Sequence, residues 1–198
     1  VKLLLGYFAP TSGNIFLGDT PLQDYDMTSW RHSCGVVLQD SHVFSESLAR
    51  NIAVEDKHID RTRLRIAARQ SNLEEFIEKL PLKYQTMVGA EGVGLSRGQE
   101  QRIFIARALY KDPSFVFLDE ATNSLDANNE RIITGNLLDF CKGRTVLIVA
   151  HRLSTIRHAD KIVVLHKGRI VEEGTHDELC ARHGYYYELI NNQLIAMG

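Results

Sequence analysis

Two runs of continuous apolar residues, FVFL at 115–118 and VLIV at 146–149, stand out from a chain whose apolar positions otherwise recur at helical spacing or alternate. Both are too short for a helix core and end at polar residues, the pattern of strands buried on both faces of a mainly parallel sheet. The first ends in Asp119 and Glu120, the second at His151. Ahead of the first run, residues 98–110 carry a helical period. Ser96 with Gln99 three residues on supplies a capping-box start, and Lys111-Asp112-Pro113 a stop. Residues 128–140 read as an amphipathic helix. Further strands are predicted at 14–17, 35–38 (ending at Gln39), 161–165 and 169–173, the last two joined at Lys167-Gly168. Short helical pieces are predicted at 28–33, 60–70 and 73–80, one begins near Thr175, and a last helix spans 185–195.

Bulk composition narrows the class. A chain of 198 residues with 44% apolar and 24% charged residues fits one globular domain with a sizeable core. A net charge of −2 gives no general attraction to nucleic acid or anionic lipid, and the basic face of Arg61, Arg65 and Arg69 lacks interleaved aromatics. It reads as a solvated helix face. The three cysteines, Cys34, Cys141 and Cys180, form no CxxC and point to reduced thiols rather than a disulfide framework. The eight histidines show no zinc-type spacing, and no apolar run reaches membrane-spanning length.

Taken singly, Ser-x-x-Gln is a helix cap, an acidic pair after a strand is its solvated end, and a histidine after a buried strand is a structural residue. Their combination points further. A helix N-terminus offers N–H groups and a positive dipole end to phosphate. Carboxylates at the C-terminal edge of a parallel sheet stand where nucleotide sites form, able to hold a divalent ion and orient water. LSRGQ at 95–99 followed by FVFLDEATNSLD at 115–126 resembles the signature, Walker B and D-loop of an ATP-binding cassette ATPase.

The resemblance implies an α/β fold of P-loop NTPase type: a mainly parallel sheet flanked by helices, with an inserted α-helical subdomain. That subdomain would cover about 41–97, and residues 1–40 with 98–198 would form the α/β core. It implies ATP and Mg2+ as cofactors. Asp119 would hold Mg2+, joined by the Q-loop amide of Gln39. Glu120 would polarise the attacking water, and His151, matching the switch histidine, would contact the γ-phosphate. Ser96, Gly98 and Gln99 would hold the γ-phosphate of the opposite site in a head-to-tail dimer of two nucleotide-binding domains, and Asp126 would lie at the seam. Arg97 stands where glycine is commoner. Glu91 is the nearest match to an acidic cross-talk residue that more often occupies the position of Ala90. VFSESLARNIAV at 43–54 is similar to the exporter segment that faces a transmembrane domain. The implied setting is the cytoplasmic side of a bacterial inner (cell) membrane, with no nucleic acid partner.

Within the family, the wording from VGAEGVG to DANNE resembles exporters fused to peptidase domains that secrete peptides or bacteriocins. The alternatives are a non-transport cassette ATPase acting on DNA or ribosomes, and a fragment without activity of its own. The family's Walker A loop, GxxxxGK followed by Ser or Thr, does not occur in the 198 residues; its lysine would precede Val1 by a few positions. The strand leading into that loop is expected beside 115–118. Without it, 115–118 and 146–149 would lack a shared central partner, leaving a sheet that closes up, exchanges strands or is poorly stable.

Overall fold

The computed structural model describes the backbone of residues 1–150 and 153–197, and the side chains of 1–150 and 155–192. The chain forms two compact units, Val1–Leu147 and Ile148–Gly198.

The first unit opens with a single turn at residues 1–5 and a hairpin of β1 (Phe16–Leu17) and β2 (Thr20–Pro21). Next come α1 (Met27–His32), capped by Asp26, and β3 (Cys34–Val37). Four helices follow: α2 (Leu48–Ile52), α3 (Arg61–Gln70), α4 (Glu74–Glu78) and α5 (Arg97–Lys111). The unit continues with β4 (Phe115–Asp119) and α6 (Ala127–Cys141), and its last residues begin β5 (Thr145–Val149), which extends past Leu147. In the second unit α7 (Leu153–Ile156) precedes the antiparallel pair β6 (Ile162–His166) and β7 (Arg169–Gly174). It closes with α8 (His176–Ala181) and α9 (Tyr185–Met197). Among the described residues no helix is long and apolar enough to cross a membrane.

The sheet order is β3-β4-β5, with β3 and β4 parallel. β4 therefore has a neighbour on each edge, and among the described residues β5 is its direct neighbour. Of the three outcomes expected for this region, the sheet is closed. Under it, Trp30, Cys34 and Phe117 pack with Leu5 and Leu22, and the Trp30 indole N–H donates to the Leu4 carbonyl at 2.8 Å.

Helix α5 is the spine of the first unit. Seven of its 15 residues are buried, from Ile103 to Tyr110, against β3, α2 and α3. Each large apolar side chain withdrawn this way contributes on the order of 1.5–3 kcal/mol. At its end Asp112 adopts a left-handed conformation (φ 53°), and Pro113 prevents continuation. A Cβ on Gly35 would fall 2.5 Å from the Pro113 ring, so only glycine lets β3 pass this turn. In the second unit Ile162, Val164, Leu179, Tyr186 and Ile190 form a separate core, and Thr175 and Glu178 make a capping box for α8.

Candidate functional site

The parallel register Cys34↔Phe115 through Val37↔Leu118 puts the C-terminal ends of β3 and β4 at one sheet edge. Leu38 and Gln39 follow the end of β3, and β4 ends at Asp119 with Glu120 next, so these residues leave the sheet at that edge. Asp119 and Glu120 are half-buried, while Gln39 and Asp40 are exposed. The Lys2 ammonium donates to Asp40 at 2.6 Å; this bond raises the lysine's pKa and lowers that of Asp40, and Asp119 adds to the field holding the lysine charged.

Glu120 has φ 51°, an uncommon value for a residue other than glycine, at the point where the chain leaves β4. The turn is held locally. Asn123 N–H donates to the Glu120 carbonyl at 3.2 Å, and the Asn123 amide donates to the Glu120 carboxylate. The buried residues Ala121, Thr122 and Leu125 anchor the loop from below. Its outer side meets the start of α5. Gln101 Nε2 donates to the Ala121 carbonyl at 2.8 Å, and a Cβ on Gly98 would come 3.3 Å from the Ser124 carbonyl oxygen. A glycine at 98 thus lets the helix start approach the loop.

The capping box is complete: Ser96 Oγ accepts from Gln99 N–H at 3.3 Å, and Gln99 Oε1 accepts from Ser96 N–H at 2.8 Å. Both residues therefore hold the helix start, and Ser96 and Arg97 are exposed. Asp126 caps α6, its Oδ1 accepting from Asn128 N–H at 3.1 Å and Asn129 N–H at 3.0 Å. Its carboxyl is held below the usual range by hydrogen bonds from Asn129 and Asn128. The structure thus brings Gln39, Asp119 and Glu120 to one edge and Ser96, Gly98 and Gln99 to the helix start beside the next loop. His151 lies outside the described residues.

The donor set at the sheet edge suits Mg2+. Asp119 and Gln39 offer oxygen, the ligand type this hard ion takes, and it is usually held by one or two carboxylates plus phosphate and water. Among the described residues no three His, Cys, Asp or Glu side chains converge as a metal cage. Asp119 and Gln39 would share the ion with phosphate oxygens.

Some residues important to this architecture were not singled out from the sequence, and Asn51 was read only as part of the Asn-Ile pair in the exporter-like segment 43–54. Asn51 is fully buried; its amide accepts from Phe44 N–H at 2.8 Å and donates to the Phe44, Glu46 and Ser47 carbonyls, fixing the segment after Gln39. Arg107, on α5, donates to the Asn51 carbonyl at 2.9 Å and lies over the Phe44 and Phe104 rings. Burial pushes its guanidinium down to about 10. The available signal was an arginine inside the apolar run IFIARAL. Of the basic residues on α3, Arg65 and Arg69 pair with Glu74 in solvent, whereas Arg63 reaches back to the Tyr110 carbonyl at 2.5 Å.

The protein family described as ABC transporter matches residues 1–123. The ATP-dependent lipid A-core flippase of Chromohalobacter salexigens is 44% identical over 189 residues, 96% of this chain and 33% of that protein. The toxin RTX-I translocation ATP-binding protein of Actinobacillus pleuropneumoniae is also 44% identical over 189 residues, 95% of this chain and 27% of that protein. A solved structure of a bacterial Atm1-family ABC exporter with ATP bound has a TM-score of 0.92 and 37% identity, covering 98% of this chain and 34% of that one. The chain spans about a third or less of the length of these relatives.

Proposed function

This chain belongs to the ABC transporter family, and from that premise we propose that it is the nucleotide-binding domain of an exporter, hydrolysing ATP to drive transport. The observation that carries this reading is the parallel pair β3–β4, which delivers Gln39, Asp119 and Glu120 to one edge beside the capped start of α5.

Asp119 and Gln39 would hold Mg2+, which when bound would neutralise charge on the phosphates. Glu120 orients the attacking water and takes its proton; the left-handed turn at this residue sets the direction of its carboxylate. His151 contacts the γ-phosphate. Ser96, Gly98, Gln99 and the N–H groups of α5 serve the phosphate of a second copy arranged head to tail, with Asp126 at the seam between copies. Such a site works by positioning and charge stabilisation, as phosphoryl transfer requires. Residues 41–97 act as a helical subdomain, bracketed by Gln39 and the glycine-rich stretch 89–94. A transmembrane domain faces the segment after Gln39, which places the chain at the cytoplasmic side of a bacterial membrane. For cargo, the relatives include a lipid A-core flippase and a toxin-translocation protein at equal identity; the reading of a peptide or bacteriocin rests on the resemblance of residues 88–130 to peptidase-fused exporters.

The test is Glu120→Gln in the transporter that carries this chain. Nucleotide binding should persist while turnover falls on the order of a hundredfold or more, the scale of a lost general base. Near-normal turnover would remove Glu120 from that role. The 198 residues contain no GxxxxGK followed by Ser or Thr, so by themselves they should bind Mg·ATP more weakly than micromolar in a calorimetric titration. Micromolar binding that depends on Asp119 would overturn that part of the reading.

A further inference from the structure

The turn between α3 and α4 contains Asn72, held at φ 55°. Its side-chain amide donates to Asn129 Oδ1, in the first turn of α6, at 2.8 Å. Arg102, on α5, closes a triangle: its Nη1 donates to the Asn72 carbonyl at 2.6 Å and to Asn129 Oδ1 at 3.4 Å, and its Nε to the Gly98 carbonyl at 3.3 Å. On its other side Asn129 donates through Nδ2 to Asp126 Oδ2 at 2.5 Å. The amide of Asn129 is thereby oriented at both ends. Turning it over would set its NH2 against two donors and its oxygen against a carboxylate. The cap bonds from Asn128 and Asn129 N–H both go to Asp126 Oδ1. What fixes Oδ2, and so the plane of the carboxylate, is Asn129.

We propose that Asn129 is a positioning residue for Asp126, and that Asn72 and Arg102 hold it in place, so that the α3–α4 turn sets the direction of the Asp126 carboxylate. The proposal rests on the reading of Asp126 as a residue of the seam between two copies. A second tie supports it. Asn136, seven residues along the same face of α6, donates to the Gln70 carbonyl at 2.7 Å. The face of α6 turned toward residues 70–72 thus carries two amides, both bonded to the α3–α4 turn region. A shift of that turn is transmitted to Asp126 through hydrogen bonds whose direction is fixed. The charged group facing Asp126 from α5 is Arg102, which burial pushes toward deprotonation and Asp126 holds charged.

The test needs neither nucleotide nor a second copy. In the full chain, the Asp126 carboxyl would be titrated by NMR and amide exchange followed at Asn128 and Asn129. Asn72→Gly keeps the left-handed backbone at no steric cost while deleting the amide; Arg102→Lys keeps the charge while losing the fork. Both should raise the Asp126 midpoint toward an ordinary aspartate. Both should also speed exchange at Asn129 on the order of tenfold, the worth of one hydrogen bond. Asn129→Ala should raise the midpoint further. Should Asn72→Gly unfold the chain, Arg102→Lys carries the test. An Asp126 midpoint unchanged by Asn129→Ala, or by both upstream variants, overturns the proposal. A latch that responds in these variants, in a transporter whose turnover survives Glu120→Gln, would instead sink the catalytic reading and leave the positioning role standing.

Discussion

Helices α5 and α6 precede and follow β4 along the chain and have the same length, 15 residues, yet they are held in opposite ways. α5 buries seven residues, whereas α6 buries only Ile133 and Leu137. What α6 lacks in apolar burial it replaces with side-chain amides: Asn129 toward Asn72, and Asn136 toward the Gln70 carbonyl. Apolar packing is strong and non-directional, and it resists displacement of any kind. A few hydrogen bonds are individually weak but fix direction. α5 is built to stay in place; α6 is built to keep its orientation and to yield.

The largest test of this contrast is Ile103→Ala, which opens a cavity beneath a fully buried side chain and should cost about 2–5 kcal/mol. The counterpart on α6, Leu138→Ala at a position 39% exposed, should stay within about 0.5 kcal/mol. Urea melts of the two variants decide it, and equal losses would break the comparison. Next in size, Asn136→Ala should cost about 1 kcal/mol and raise amide exchange in α6 without affecting α5. The smallest effect concerns thiols. Cys34, 1% exposed on β3, is pushed up to about 11 by burial. The Cys141 thiol, at the end of α6, is also raised by burial but opposed by Arg144. At pH 8 a maleimide should label Cys141 roughly tenfold or more faster than Cys34. The pH dependence follows from Cys34. Its proton leaves the unfolded chain near 9.0 and the folded chain near 11, so stability is unaffected below that window and falls as pH rises through it. A Cys34→Ala variant should flatten this decline.

Local signals made much of this legible. Ser96 with Gln99, the stop at Asp112-Pro113, and the apolar runs of β4 and β5 were readable because each depends on neighbours within a few residues. The first helical piece after Gln39, α2, was not. Its five residues show too little period, and its Ser47 cap and buried Asn51 serve a loop whose course is set by backbone pairing of residues 46–48 with 86–88. Arg107, Asn72 and Asn129 escaped for the same reason, since their long-range hydrogen-bond partners lie 27 to 65 residues away. Asp126 shows the opposite case. The motif marked it for the seam between copies, and the structure adds a second task, capping α6.

The left-handed Asp112 and the ring of Pro113 against Gly35 also have a mechanical meaning. Three residues, 112–114, separate α5 from β4, and the close fit to Gly35 pins them to the sheet. The helix is therefore a fixed arm whose aim is set at that end. An arm of 15 residues is about 22 Å long at 1.5 Å per residue. An error of about 5° in that aim would misplace Ser96 by about 2 Å, enough to lose a hydrogen bond at the helix start, so the fit of Pro113 to Gly35 decides where the capped start of α5 stands.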